Sequence, residues 1–184
     1  MPIKHVQVEK MIPLLEEILG EWKSVIGEDY QGYKNHVYRM LNFCFYLHNP
    51  SEEERKKLVI AAAFHDIGIW SEGTIDYLPP SIEQATLYLE RNQLSDWCDE
   101  VVAIIDFHHK LRAVNNEHFP LIEVFRRADL ADFSLGFIRA GIPSSYVNSV
   151  RSEIPNAGFH KCLMRLTWKQ LKQNPLNPAP MMKW

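Results

Sequence analysis

Apolar side chains recur along most of this chain at spacings of three and four residues, which is the period of one face of an α-helix. The longest such stretch runs from residue 33 to residue 47, where the apolar positions are Tyr33, Val37, Met40, Phe43, Cys44 and Leu47. This pattern predicts a helix with a wide apolar stripe.

The next segment has a recognisable start. Ser51 and Glu54 have the spacing of a capping box, in which each residue bonds the backbone of the other. Residues 58–64 are then apolar on all sides, and a helix of that kind must be enclosed by other elements. We expect it to end just beyond His65 and Asp66, with Gly68 as a left-handed cap.

The rest of the chain repeats the helical period. We expect a loop over residues 69–80 and helices over 82–91, from a cap at Ser95 to about 108, over 121–135 and over 163–171. No segment alternates with period two long enough to require a strand. The predicted fold is therefore a single all-α domain, a helical bundle over residues 1–173, followed by a proline-rich tail over 174–184 that contains Pro175, Pro178 and Pro180.

Composition excludes several classes of protein. The 184 residues are 46% hydrophobic and 23% charged, with a net charge of −3, which favours an ordinary globular domain without a nucleic-acid polymer or an anionic membrane as partner. The longest apolar run, residues 58–64, is far shorter than the roughly 18 residues of a membrane span. Residues 1–5 have no export-signal pattern, and the three cysteines show no disulfide spacing, so we expect a cytoplasmic protein.

Several histidines and aspartates occupy positions where a helix should be apolar. His36 shares the stripe of Met40 and Phe43, either as a ligand or as a core histidine with satisfied hydrogen bonds. His65 and Asp66 follow a buried helix, where an ionised carboxylate is costly unless it is paired or binds a metal; the alternative is a pair that caps the helix.

Two further groups repeat this pattern. His108 and His109 follow an apolar helix, and adjacent helical residues point about 100° apart, so only one of them is expected to face a given centre. Asp129 and Asp132 both lie near the apolar face of their helix, and one of them is expected to be a salt-bridge or capping residue.

The order and spacing of His36, His65, Asp66 and Asp129 resemble the HD-domain superfamily of metal-dependent phosphohydrolases over about residues 30–135. The matching contexts are residues 33–39, 63–68 and 127–130. By this resemblance, these four residues would ligate one divalent metal, namely manganese, magnesium, cobalt or iron. The implied reaction is the hydrolysis of a small phosphate ester, with nucleotides as the favoured class, by water that the metal binds.

The resemblance also implies roles for the neighbours of these ligands. Ile69 stands where several HD nucleotidases have a glutamate, so Asp66 itself, as a catalytic carboxylate, or a metal-bound hydroxide would have to serve. His108 or His109 would bind substrate phosphate or carry a proton. A single metal is expected because residues 78–83 lack the histidine that two-metal branches of the superfamily have.

Four residues are candidates for substrate binding. Arg39 and Lys110 have the charge to bind a phosphate, or they are solvated at the surface. Trp70 and Tyr77, in the loop that follows Asp66, are placed to stack on a substrate or to close the edge of the core. The expected partner is a small phosphate ester. A homo-oligomer stays open, because several apolar residues could pack either internally or against another subunit: Trp22, Trp168, Met181, Met182 and Trp184.

Two other functions stay open at this point. Some HD proteins hold two irons and oxidise small organic substrates with oxygen, and the pair His108 and His109 is compatible with such a site. The chain is also compatible with a metal-binding regulatory domain that turns nothing over.

Overall fold

The computed structural model describes residues 7–177 and 180–182, and every regular element in that part of the chain is helical. The α-helices are α1 Pro13–Ile26, α2 Tyr30–Leu47, α3 Glu52–Phe64, α4 Gly68–Ser71, α5 Leu78–Arg91, α6 Cys98–Phe107, α7 Leu121–Phe133, α8 Ser144–Glu153 and α9 Phe159–Gln173. The predicted all-α fold is thereby confirmed. The predictions for residues 1–5, Pro178 and Trp184 lie outside the described residues.

Helix α2 is the centre of the bundle. It packs against α1, α3, α7, α8 and α9, and all of its residues from 35 to 45 are buried. The predicted stripe from Tyr33 to Leu47 is therefore only part of the buried surface. Polar side chains on the other faces, among them Arg39 and Asn42, are enclosed as well.

Helix α3 follows the predicted pattern. Glu54 donates its backbone N–H to Ser51 Oγ at 3.2 Å, and Ser51 donates its backbone N–H to Glu54 Oε2 at 2.7 Å. The capping box is thus confirmed. Residues 58–64 are all buried, because α1, α2, α5, α6 and α7 surround the helix.

Gly68 has a different role from the predicted one. It is the first residue of α4, and it is not in the left-handed conformation. A Cβ at this position would lie 2.4 Å from the backbone oxygen of Tyr77, and the N–H of Gly68 donates to Ser81 Oγ at 2.9 Å. Glycine is needed here because α4 and the start of α5 lie in backbone contact.

Several boundaries differ from the sequence prediction. Helix α5 begins at Leu78 because Pro79 and Pro80 fit its first turn, where a helix lacks N–H partners. Ser95 begins a 3-10 turn and does not cap α6 with its side chain, and Leu135 lies beyond α7 with φ 57°. The apolar patterns above single out neither α1 nor α8.

The apolar residues considered for an oligomer have different surroundings. Trp22 packs edge-on against Phe64, whereas Trp168 is 60% exposed. Met181 packs against a small cluster formed by Ile69, Tyr77 and Leu78. Over the described residues, none of the helices combines the length and the apolar character that crossing a membrane requires.

Candidate metal centre

The candidate ligands come together from four helices. His36 lies inside α2, His65 and Asp66 directly follow α3, His108 directly follows α6, and Asp129 lies in the second half of α7. Helix α7 packs against α2, α3 and α6, and α3 also packs against α2 and α6. Residues far apart in the sequence therefore converge on one buried region.

Hydrogen bonds fix the orientation of three imidazole rings. His36 donates Nδ1–H to Asp132 Oδ2 at 2.7 Å, His65 donates to the carbonyl of Ala62 at 2.8 Å, and His108 donates to the carbonyl of Ile105 at 2.6 Å. Because these partners only accept, each Nδ1 carries the proton. An imidazole with its single proton on Nδ1 presents the lone pair of Nε2.

These lone pairs face one another and the carboxylates. His36 Nε2 lies 3.1 Å from His65 Nε2 and 3.5 Å from Asp129 Oδ1, while Asp66 Oδ2 lies 3.3 Å from His65 Nε2. With both Nδ1 atoms protonated, no proton remains to link the two facing nitrogens. Two nitrogens bound to one ion at about 2.1 Å and roughly a right angle stand about 3 Å apart, so the pair fits two ligands of a single cation.

Two more buried atoms support the same interpretation. In the described part of the chain, Asp66 Oδ1 and His108 Nε2 have no hydrogen-bond partner, and they lie 3.7 Å apart. Buried polar atoms are rarely left without partners, and each such atom costs free energy of folding. A cation between these groups would satisfy them, so the donor set fits a divalent metal.

The ligand atoms form two groups that share one carboxylate. His36, His65 and Asp66 form the first, and Asp66, His108 and His109 form the second; within each group the ligand atoms lie within 4.8 Å of one another. Neutral imidazoles with carboxylates make a mixed nitrogen and oxygen site, which suits first-row divalent ions. Either group can hold a metal ion.

The electrostatics of the centre favour a bound cation. Burial raises the pKa of Asp129 to about 7, and repulsion from Asp66 and Asp132 acts in the same direction. Burial lowers the pKa of His36 to about 4, against the opposing effect of Asp132. The histidine is therefore neutral near pH 7, as a metal ligand must be, and a cation would relieve the repulsion between the carboxylates.

Arg39 lies behind the centre, away from the position expected of a phosphate-binding residue. It is buried and donates Nε–H and Nη2–H to the two oxygens of Asp132 at 2.6 and 2.7 Å, and Nη1–H to the carbonyl of Pro155 at 3.0 Å. Burial alone would raise the pKa of Asp132, but hydrogen bonds from His36 and Arg39 lower it to about 2. The expectation for Arg39 is thus corrected: its guanidinium keeps Asp132 ionised, and Asp132 orients His36.

A cavity of 450 Å³ opens onto the centre. Its lining includes His36, Asp66, Asp129 and His108, together with three other predicted site residues, His109, Lys110 and Tyr77. Tyr77 Oη and His109 Nε2 are hydrogen-bonded at the cavity, 2.5 Å apart. Both histidines of the pair therefore reach the cavity, rather than only one of them.

Trp70 does not line this cavity. Its indole packs against Tyr33 with ring centroids 4.7 Å apart, and its N–H donates to Asp29 Oδ2 at 3.3 Å. The prediction that Trp70 stacks on a substrate is corrected by this position, because the ring closes the edge of the core between α2 and α4.

Two residues of the centre are not identified by the sequence motifs. Phe159, the first residue of α9, stacks on the ring of His36 with centroids 4.1 Å apart and planes 9° apart. Arg126 lines the cavity and pairs with Glu123 through two hydrogen bonds of 2.7 Å. The Arg126–Glu123 pair has the i,i+3 spacing of a local ion pair within α7, a signal that the motifs above do not include. The Phe159–His36 stack has no such signal, because it depends on how α9 packs against α2.

The interpretation of this centre rests on its own geometry and on motif spacing. When the chain was compared with models of known protein families, with curated proteins and with solved structures, nothing matched in any of the three.

Proposed function

We propose that this protein is a metal-dependent phosphohydrolase that cleaves a small phosphate ester. The observation that supports this function most directly is the pair of facing Nε2 atoms of His36 and His65, 3.1 Å apart and accompanied by buried carboxylates beside a cavity. A bound cation would satisfy these facing nitrogen atoms and the carboxylates beside them. The resemblance of the same residues to the HD-domain motif adds the reaction class.

Four residues would hold the metal, namely His36, His65, Asp66 and Asp129. A divalent ion in a site of this kind lowers the pKa of a water molecule from 15.7 toward about 7 and polarises a phosphoryl oxygen. Manganese, magnesium, cobalt and iron are all compatible with nitrogen and oxygen ligands. His36 keeps its orientation through Asp132, which belongs to the outer layer of the centre.

The residues around the metal ligands would carry the other parts of the reaction. Asp66 Oδ1, which has no hydrogen-bond partner among the described residues, is placed to accept a hydrogen bond from the attacking water. The hydrogen-bonded pair of Tyr77 and His109 would supply a proton to the leaving oxygen. Lys110 would supply positive charge at the cavity for the phosphate, whereas the charge of Arg126 is paired with Glu123.

The test is a panel of phosphate esters assayed with each of the four metals. We expect metal-dependent release of phosphate that falls at least 100-fold in His65→Ala and in Asp66→Asn, with helical content retained. His118 provides the matched control, because it is exposed and has no assigned role in the centre. His118→Ala removes an imidazole without changing a candidate ligand. Full metal occupancy with no hydrolysis of any ester would contradict the proposal and favour a regulatory metal-binding domain.

A second candidate function is supported by the second ligand group. Asp66 is common to both groups and is therefore placed between two potential metal positions. An HD-type oxygenase with two irons would use such an arrangement. Two irons per chain together with substrate-dependent oxygen consumption would favour this function, and one metal per chain would exclude it.

A further inference from the structure

The walls of the cavity differ from the centre at its base. The base is formed by buried polar residues, since Asp66, His108 and Asp129 are each no more than 5% exposed. The apolar residues of the lining come from four parts of the chain: the α4 to α5 region, the segment after α6, α7 with the segment after it, and α9 with the tail. Examples are Ile75, Leu111, Phe133, Ile138, Leu166 and Met181.

The apolar lining continues to the surface. Leu111, Phe133 and Ile138 are between 51% and 53% exposed although they line the cavity. Apolar surface of this kind is usually covered in use, and a cavity of 450 Å³ lies in the size range of small-molecule sites, which is about 300–1,000 Å³. A ligand that reaches the centre therefore passes between apolar walls.

Two polar side chains of the lining are already engaged in hydrogen bonds. Tyr77 bonds His109, and Arg126 holds Glu123 with two of its donors. Lys110 and Thr167 are the other polar residues of the lining beyond the base, and within the described part of the chain the lining contains no asparagine, glutamine or serine. Specific binding of a nucleoside depends on hydrogen bonds to the edges of the base and to the ribose, and these walls supply few groups for them.

We infer that the substrate is a phosphate monoester of an apolar alcohol, with the phosphate at the metal centre and the hydrocarbon or aryl group against the apolar walls. This inference rests on the proposed function. In the reaction, the oxygen of water forms a bond to phosphorus and the bond from phosphorus to the alcohol oxygen breaks. The leaving oxygen keeps the electron pair and takes up a proton, while the attacking water loses one.

The first experiment uses a series of n-alkyl phosphates from ethyl to octyl, below their micelle concentrations, with manganese-loaded protein. Each buried methylene contributes roughly a fourfold gain in affinity. We expect kcat/KM to rise by about this factor per methylene until the cavity is filled. Adenosine 5′-monophosphate should be hydrolysed less efficiently than octyl phosphate.

Two leucines of α9 provide a matched pair of variants. Leu166 lines the cavity, whereas Leu171 is 39% exposed and does not. Leu166→Asn should flatten the dependence on chain length, while Leu171→Asn, with the same change in the same helix, should keep it. If Leu166→Asn fails to fold, Ile138→Asn replaces it, since this half-exposed residue also lines the cavity.

The outcomes separate the inference from the proposed function. Hydrolysis that is independent of chain length, or that favours the nucleotide, would overturn the inference and leave the phosphohydrolase intact. If no ester is hydrolysed, the proposed function fails, and calorimetry with n-alkyl phosphonates decides the inference. Binding that tightens with each methylene would then support an apolar ligand group, and binding that does not would overturn it.

Discussion

His36 Nδ1 lies 2.7 Å from Asp132 Oδ2, and the two oxygens of this carboxylate also accept hydrogen bonds from Arg39. All three side chains are buried. The carboxylate of Asp132 therefore links the buried guanidinium of Arg39 to His36, which is a candidate metal ligand. This arrangement fixes which nitrogen of His36 faces the candidate centre, and we expect a change at Asp132 to alter metal binding.

Replacing Asp132 with asparagine should weaken metal binding without removing a ligand. The carboxylate of Asp132 accepts hydrogen bonds from His36 and Arg39 through two oxygens, whereas an amide has only one accepting oxygen. His36 therefore loses its fixed orientation. We expect metal affinity to fall about 10- to 100-fold and the free energy of unfolding to fall by about 3 kcal/mol, because Arg39 loses its ionic partner. Metal titration and urea denaturation measure the two effects.

Asp76 is a suitable control for that variant, since it is exposed in the loop before α5. Asp76→Asn should leave metal affinity and stability within about 0.5 kcal/mol of the wild type. Metal binding by Asp132→Asn that equals the wild type would contradict the role assigned to Asp132.

Removing the metal should destabilise the protein. Binding to the folded state alone adds about 2.7 kcal/mol of stability when the free metal is at 100 times its Kd. For a chain of this size we expect a rise in Tm of about 5–10 °C on adding manganese to chelator-treated protein. Differential scanning calorimetry measures the shift.

Histidine variants make that result specific. The rise in Tm should vanish in His36→Ala, because the first ligand group is broken, and it should persist in His118→Ala. An equal rise in all three proteins would mean that manganese binds elsewhere.

The contact at Gly68 predicts opposite effects for two substitutions of glycine by alanine. The new Cβ in Gly68→Ala would lie 2.4 Å from the backbone oxygen of Tyr77, so the chain must shift, at a cost of roughly 1–3 kcal/mol. Gly20 lies inside α1 with nothing within 4 Å of such a Cβ. Gly20→Ala should therefore stabilise the protein by about 0.5–1 kcal/mol.

Urea denaturation of both glycine variants checks this prediction. Because Gly68 lies two residues after Asp66, the destabilised variant should also bind metal more weakly. Stability of Gly68→Ala equal to the wild type would show that α4 and α5 separate without cost.

Glu16 predicts a dependence of stability on pH. Burial raises the pKa of Glu16, but hydrogen bonds from Lys34 and Tyr38 outweigh that effect and lower it below the ordinary value of 4.5. A lowered pKa in the folded state stabilises the protein above pH 4.5, and this contribution is lost as the pH falls below 4.5. Because the pair is partly exposed, we expect about 0.5–1 kcal/mol.

Comparing the wild type with Glu16→Gln between pH 7 and pH 3.5 isolates this contribution. The difference in the free energy of unfolding should be largest near pH 7 and should shrink at the acid end. Glu28→Gln, at an exposed position, should show little difference throughout. A difference for Glu16→Gln that grows as the pH falls would contradict the direction of the pKa shift.

The sequence predicts the helices that carry strong local signals. The capping box of Ser51 and Glu54 and the apolar residues 58–64 specify α3, and the period of three and four residues specifies α2. Both signals arise between residues a few positions apart. Gly68 lacks such a local signal, because a glycine in a left-handed cap and a glycine in a close backbone contact look alike in a sequence. Ser95 has the residue type of a helix cap, yet it begins a 3-10 turn.

Within the centre, the sequence indicated which residue types would meet, and the structure decided how. His36, His65 and Asp66 were predicted from the burial of polar residues and from the motif, and they form one ligand group. The expectation that one of Asp129 and Asp132 makes a salt bridge left the choice open. The packing of α2 against α7 directs Asp132 to Arg39 and leaves Asp129 beside His36 Nε2.

The sequence by itself therefore determined the all-α class and predicted which residue types meet at the candidate centre, since periodicity and the cost of buried charge act locally. Only the tertiary structure decided that Arg39 and Trp70 face away from the cavity, that Phe159 stacks on His36, and that apolar walls surround the approach to the centre. These features depend on contacts between helices distant in the chain. Local sequence patterns do not predict such contacts.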